Sequence, residues 1–204
     1  MISDKYKCIF IHIPKTGGNS IEFVLGGIEI KNGSDWDNDV HRRSDSTKRF
    51  FFDKRQRHWT WRQYRRCCPD KFREYFKFAV VRNPFDALVS HLSWAREGNR
   101  PVIPAHWGLG RCLLHNPFLF RHLSPSRYLC DSKGKLMVDH VIRYENLTEE
   151  WPVAAGQLGL PGMLPHINKS ERGPYRDYYS PVLRLLVERC FARDIKRFGY
   201  SFDT

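Results

Sequence analysis

The apolar positions of this chain fall into short blocks separated by polar stretches, and the period changes from block to block. Lys7 to Ile13 is a β-prone apolar run, and Lys77 to Val81 ("KFAVV") is another. Unbroken runs of this kind belong to strands buried on both faces of a parallel sheet. Asp139 to Leu147 ("DHVIRYENL") predicts a further strand. Between these runs the spacing turns helical. Ile21, Val24 and Leu25 place a helix over Asn19 to Leu25. Arg62 to Phe76 is helical in spacing but divisible at Cys68-Pro69, and Pro84 suits the first turn of a helix running to Arg96. A helix is expected around Glu149 to Leu158. Leu183, Leu186, Val187, Cys190, Phe191, Ile195 and Phe198 predict a last one, opened by Ser180 and Pro181 and stopped by Gly199. Gly26 to Thr47 reads as an exposed excursion. Glu97 to Pro125, rich in Gly, Pro and His, reads as a long irregular region with a short helix.

Strands alternating with helices predict an α/β fold in three layers, with a mostly parallel central sheet flanked by helices. At 204 residues the chain is long enough for one domain, residues 1–204, with a sizeable core.

Composition places the chain among soluble globular proteins, at 41% hydrophobic and 27% charged residues. No apolar run approaches the roughly 20 residues of a membrane span. The start, Met1 to Lys7, lacks the pattern of a signal peptide, so the sequence as it stands reads as cytoplasmic. Six cysteines form no C-x-x-C pair. Cys8 and Cys190 fall on apolar faces of predicted elements, which favours structural, reduced thiols over zinc. The net charge of +12 is uneven: twelve Lys or Arg against three Asp lie between Arg42 and Arg73, a local +9. Such a block suits an anionic partner, either nucleic acid or an acidic polysaccharide.

Chemistry concentrates where the first strand meets the first helix. Pro14-Lys15-Thr16-Gly17-Gly18-Asn19-Ser20 is a small-residue turn with one lysine inside it. Glycines allow close backbone approach, Thr16, Asn19 and Ser20 supply side-chain donors, and the helix start adds N–H groups; together these favour a bound phosphate. The turn is no Walker A loop, because its lysine precedes the glycines and G-x-x-x-x-G-K-[ST] occurs nowhere. Phe78 to Ser90 ("FAVVRNPFDALVS") repeats the strand-turn-helix logic. Arg82 ends the strand, where α/β sheets place ligands, and Ser90 follows two helical turns later.

Together, "PKTGGNS" and "VVRNPFDALVS" resemble the PAPS-dependent sulfotransferases, closest to the carbohydrate-type branch with the 2-O-uronyl and chondroitin or dermatan enzymes and their bacterial relatives. "VIRYENL", "HINKSERGPYRDYYS" and the terminal "FGYSF" extend the likeness from Cys8 to Phe202. The resemblance implies a P-loop-like fold and 3′-phosphoadenosine-5′-phosphosulfate (PAPS) as co-substrate, with PAP as product. Lys15, Thr16, Gly17, Gly18, Asn19 and Ser20 would hold its 5′ side, and Arg82 and Ser90 its 3′-phosphate. Lys169, Ser170 and Arg172 would add contacts from a late loop. Asn19 departs from the Thr or Ser usual there.

The resemblance also implies a histidine base between the two motifs, which selects His58 in "RQRHWTWRQYR", with Lys15 as the cation beside the leaving phosphate. His166 is the alternative base, and His12 is expected to pack beneath the loop. Trp59, Trp61 and Trp94 are core aromatics or stacking platforms. The acceptor implied is a carbohydrate, with the basic block favouring an anionic glycan over nucleic acid. No Cys/His spacing or acidic pair calls for a metal. A nucleotide kinase and a non-enzymatic polyanion-binding module are the alternative functions.

Overall fold

The computed structural model describes residues 1–26, 57–96, 107–165 and 172–204. The predicted excursion, the first half of the basic block, and Lys169, Ser170 and His166 lie outside the described residues. The chain divides into two compact units, residues 1–81 with 128–168 and residues 82–127 with 169–204.

The first unit is built on a four-stranded sheet in the order β1 (Ile2–Ser3), β2 (Cys8–Ile11), β3 (Phe76–Val81), β4 (His140–Arg143). The β1 edge is antiparallel to β2, and the other pairs are parallel, with Phe10 opposite Phe78 and Val81 opposite Arg143. The mostly parallel α/β sheet read from the sequence is therefore present. Cys8, Phe10, Phe78, Val80 and Ile142 point to one face, into a core shared with Ile21 and Leu25 next to α1 (Gly18–Val24) and with Trp151, Ala154 and Ala155 of α8 (Leu147–Leu158). Residues of the opposite parity, Ile9, Ile11, Ala79 and Val81, are equally inaccessible. Both faces are covered, which is why these strands carry no polar alternation.

The segment after the first excursion splits, as Cys68-Pro69 suggested, into α2 (Trp61–Cys67) and α3 (Pro69–Glu74). Proline lacks the N–H that continuation would need and suits a new first turn. Trp61 is core: its ring is buried and Nε1–H donates to the Cys130 carbonyl at 2.8 Å. The predicted strand through Leu147 is shorter, because Tyr144–Asn146 turns in a 3-10 helix directly into α8.

The second unit is helical. Its core joins Phe85, Leu88, Val89 and Leu92 of α4 (Pro84–Trp94) to Leu109, Cys112 and Leu113 of α5 (Leu109–His115), Leu119 of α6 (Phe118–His122), Val187 of α9 (Pro181–Cys190) and Phe191. Another short helix, α7, spans Pro125–Leu129. The region read as mostly irregular thus holds several short helices. The single terminal helix predicted is two, α9 and α10 (Ala192–Phe198). The break is slight: Phe191 leaves helical geometry at φ −104°, ψ 15°, yet Phe191 N–H still donates to Val187 and Ile195 N–H to Phe191. Burying Val187 and Phe191 turns Cys190 outward, so this thiol is exposed rather than on the apolar face; Cys8 is buried as expected. Ser180 caps α9 by accepting from Leu183 N–H, and Gly199 ends α10 in the left-handed region at φ +64°.

Candidate functional site

The turn after β2 is shaped by two glycines with different duties. Gly17 has φ +74°, and a Cβ there would meet the Tyr144 ring 2.9 Å away at Cε2. Gly18 has no such φ, but a Cβ on it would press into the His12 imidazole, 2.8 Å from Cε1 and closer to Nε2. Lys15 adopts φ +67°, a left-handed conformation that non-glycine residues seldom take and that marks strain at functional turns. Thr16 is buried, and its hydroxyl donates to the Ile13 carbonyl at 2.9 Å, tying the turn to the strand end. Ser20 is buried and its N–H donates to Gly17 at 3.2 Å.

Beneath the turn lies a polar network set in the core. His12 stacks on Phe10 at 5.5 Å, and its Nδ1–H donates to Glu22 Oε1 at 2.6 Å. Glu22 has no accessible surface, and its Oε2 lies 3.1 Å from an Arg57 guanidinium nitrogen. Burial alone would raise the Glu22 pKa. The interaction with His12 and the Arg57 cation outweigh it and hold the carboxyl near 2. Burial lowers the His12 pKa more than Glu22 raises it, so His12 is neutral at pH 7 with its proton on Nδ1. Arg57 also donates to the Asn19 side-chain carbonyl. The position where this chain departs from Thr or Ser is therefore where Arg57 attaches.

His58 is next in sequence and half-buried. Its Nδ1 lies 3.0 Å from the His12 carbonyl oxygen, and the two rings meet edge-on at 4.9 Å. A carbonyl only accepts, so His58 carries its proton on Nδ1 and Nε2 is the basic nitrogen. His12 is thus beneath the loop, as expected, and His58 is beside it.

In the second unit, Arg82 and Ser90 are both buried. Arg82 Nε–H donates to Asp86 Oδ2 at 2.8 Å, with a second guanidinium nitrogen at 2.6 Å from the same oxygen. Arg172 pairs with the other oxygen, Asp86 Oδ1. One carboxylate thereby gathers two arginines that are far apart in sequence. Arg172 Nε is buried and has no hydrogen-bond partner among the described residues. Asn83 caps α4 by accepting from Phe85 N–H at 3.1 Å while its amide donates to the Ser201 carbonyl at 2.9 Å. Among the described residues no group of three or more His, Cys, Asp or Glu is placed to hold a metal ion, and no helix is long and apolar enough to cross a membrane.

Residues 1–93, which contain both the Lys15 turn and the Arg82–Ser90 segment, match the family model described as "Sulfotransferase family". The match covers the first 93 of 204 residues, a little under half of the chain. A curated relative, carbohydrate sulfotransferase 10 of Xenopus laevis, is 23% identical over 252 residues, an alignment covering all of this chain and 67% of that protein. Among solved structures, a sulfotransferase from Alicyclobacillus acidocaldarius aligns at 19% identity with a TM-score of 0.41. That alignment covers 68% of this chain and 57% of the other.

Three residues escaped the sequence reading: Glu22, Arg57 and Asp86. Helical spacing carried a signal for two. Glu22 falls between Ile21 and Leu25 on the buried arc of α1, where an acid has to be paired, and Asp86 stands four residues after Arg82. Arg57 was hidden in a run of like charges.

Proposed function

We propose that the chain transfers a sulfuryl group from PAPS to a hydroxyl of a carbohydrate acceptor, leaving PAP. The observation that carries this reading is the convergence on one turn of Lys15, the crowded Gly17-Gly18 pair and a histidine whose tautomer presents a basic Nε2. In-line sulfuryl transfer needs a cation where the leaving phosphate gains charge and a base for the acceptor proton. Lys15 fills the first role and His58 the second. Thr16, Gly17, Gly18, Asn19 and Ser20 line the 5′ side; Asn19 offers its amide N–H, since its carbonyl accepts from Arg57. Arg82, Ser90 and Arg172 are the ligands for the 3′-phosphate, and the buried, orphaned Nε–H of Arg172 fits an anion there. Lys169 and Ser170 belong to the same assignment by sequence. A single sulfotransferase domain is consistent with the way the two units share one chain, each assembled from two separated segments.

The glycan acceptor is supported by the carbohydrate sulfotransferase relative and by the basic surface of α2, where Arg62, Arg65 and Arg66 are exposed. An anionic chain such as chondroitin is the natural first acceptor to try. Thermal-shift titration with PAP and with Mg-ATP separates this reading from a kinase: stabilisation by PAP is expected, and stabilisation by Mg-ATP alone overturns it. His58→Ala should remove transfer, by about 10²–10⁴-fold for loss of a general base, while PAP binding persists. Arg82→Ala should weaken PAP binding, and an unchanged dissociation constant would reject the 3′-phosphate assignment.

A further inference from the structure

We propose that Glu22 is a positioning residue for His58, acting through two arms that start from its own carboxylate. This rests on the reading of His58 as the base. The first arm runs through His12: Glu22 Oε1 takes the Nδ1–H of His12, and the His12 carbonyl takes the Nδ1–H of His58. The second runs through Arg57, which faces Glu22 Oε2 and whose backbone continues directly into His58. Arg57 is pinned a second time by Asn19, inside the phosphate-binding turn. Residues 57 and 58 are therefore held against the turn from both sides, and both holds lead to one carboxylate.

The placement of Glu22 argues that this is more than a fold contact. An ionised carboxylate with no accessible surface is expensive even when paired, and well-packed apolar replacements of buried ion pairs are often neutral or stabilising. A leucine at position 22 would serve packing beside Ile21 and Leu25. What an apolar residue cannot do is hold the His12 ring by a hydrogen bond and the Arg57 guanidinium by its charge at once. The network so fixed sets which nitrogen of His58 is basic and how far it stands from Lys15's turn. Misplacing a catalytic group by about 1 Å can cost roughly 10²-fold in rate.

The test uses the full chain carrying Glu22→Gln together with Arg57→Gln, which removes both charges and leaves neither uncompensated. Histidine-labelled ¹⁵N spectra report the tautomer of His58, calorimetry reports PAP affinity, and PAP release from PAPS with chondroitin reports turnover. The expected result is a folded protein with PAP affinity weakened no more than the loss of the Asn19 contact explains, His58 ring signals shifted away from the Nδ1–H tautomer, and kcat at saturating PAPS down about 10–100-fold. Parental His58 signals and parental kcat would overturn the proposal. Should the double variant not fold, Arg57→Lys keeps the charge but shortens the reach to Glu22 and Asn19, and the same shift in His58 signals is required of it. His58→Ala distinguishes the two claims. If it retains turnover, the base assignment fails, while the ¹⁵N signals still decide whether Glu22 holds the ring. If it is inactive and the double variant keeps parental signals, Glu22 alone is dismissed.

Discussion

At the scale of single residues, the turn from Pro14 to Ser20 is a problem in close packing. Gly18 has no room for a methyl group because the His12 ring fills the space, and that ring is fixed by Glu22. Gly18→Ala should therefore destabilise by about 1–3 kcal/mol, the usual range for overpacking, and should weaken PAP binding as the turn shifts. Urea melts and calorimetry of the same variant check both, and a neutral substitution would show that His12 can move aside. The glycines were legible in the sequence as glycines, and His12 beneath the loop was expected. Tyr144, which crowds Gly17, reaches the turn from far along the chain, and such proximity leaves no local pattern. Arg57 illustrates the opposite limit: surrounded by other basic residues it reads as a solvated charge, whereas the fold gives it a buried carboxylate.

At the scale of elements, the join between β2 and α1 depends on pH. His12 follows the strand and Glu22 rides on the helix, so their hydrogen bond staples one element to the other. Burial holds the His12 pKa below its ordinary 6.5, so the folded state resists the proton that the unfolded chain accepts. Glu22 is held near 2 against an ordinary 4.5. Both groups bind protons more readily when unfolded, so stability falls with acidification. The His12 share is lost below about pH 6.5, and the Glu22 share between about 4.5 and 2. Denaturation midpoints measured from pH 8 to pH 4 should decline, with His12→Asn flattening the upper part of the decline; a flat profile in the parent would contradict the burial of this pair. Strands β2 and β3 and helices α1, α4 and α8 were legible because apolar runs and periods are local. The short helices α5 and α6 were not, since their composition signals irregularity and the shared core with α4 and α9 makes them helical. The kink at Phe191 likewise has no proline or glycine to announce it.

At the scale of the whole molecule, the positive charge is only partly balanced within the fold. The net charge of +12 draws anions, but Lys71 pairs with Asp4 and Arg73 with Asp70, so part of the basic block is already answered within the fold. Among the described residues of the block, Arg62, Arg65 and Arg66 of α2 are exposed. Replacing Arg62, Arg65 and Arg66 with Glu should lower kcat/KM for chondroitin by tenfold or more at low salt, about 1.4 kcal/mol, with the deficit shrinking as salt rises. PAP affinity should stay as in the parent, and an equal loss of PAP binding would place these arginines at the nucleotide instead. The sequence showed that the positive charge was concentrated, but not which members of the block the fold had already neutralised.

The interleaving of the two units also has a consequence for synthesis. On the ribosome, α4 emerges with Phe85, Leu88 and Val89 made ready for a core whose other wall, Val187 and Phe191, is translated only after α5 to α8. The sheet meanwhile waits for β4, which is made after α4 and α5. Neither unit can be completed before its later segment is made. Apolar faces must stay uncovered until α9 follows, and a ribosome that stalls before it releases a chain prone to aggregate.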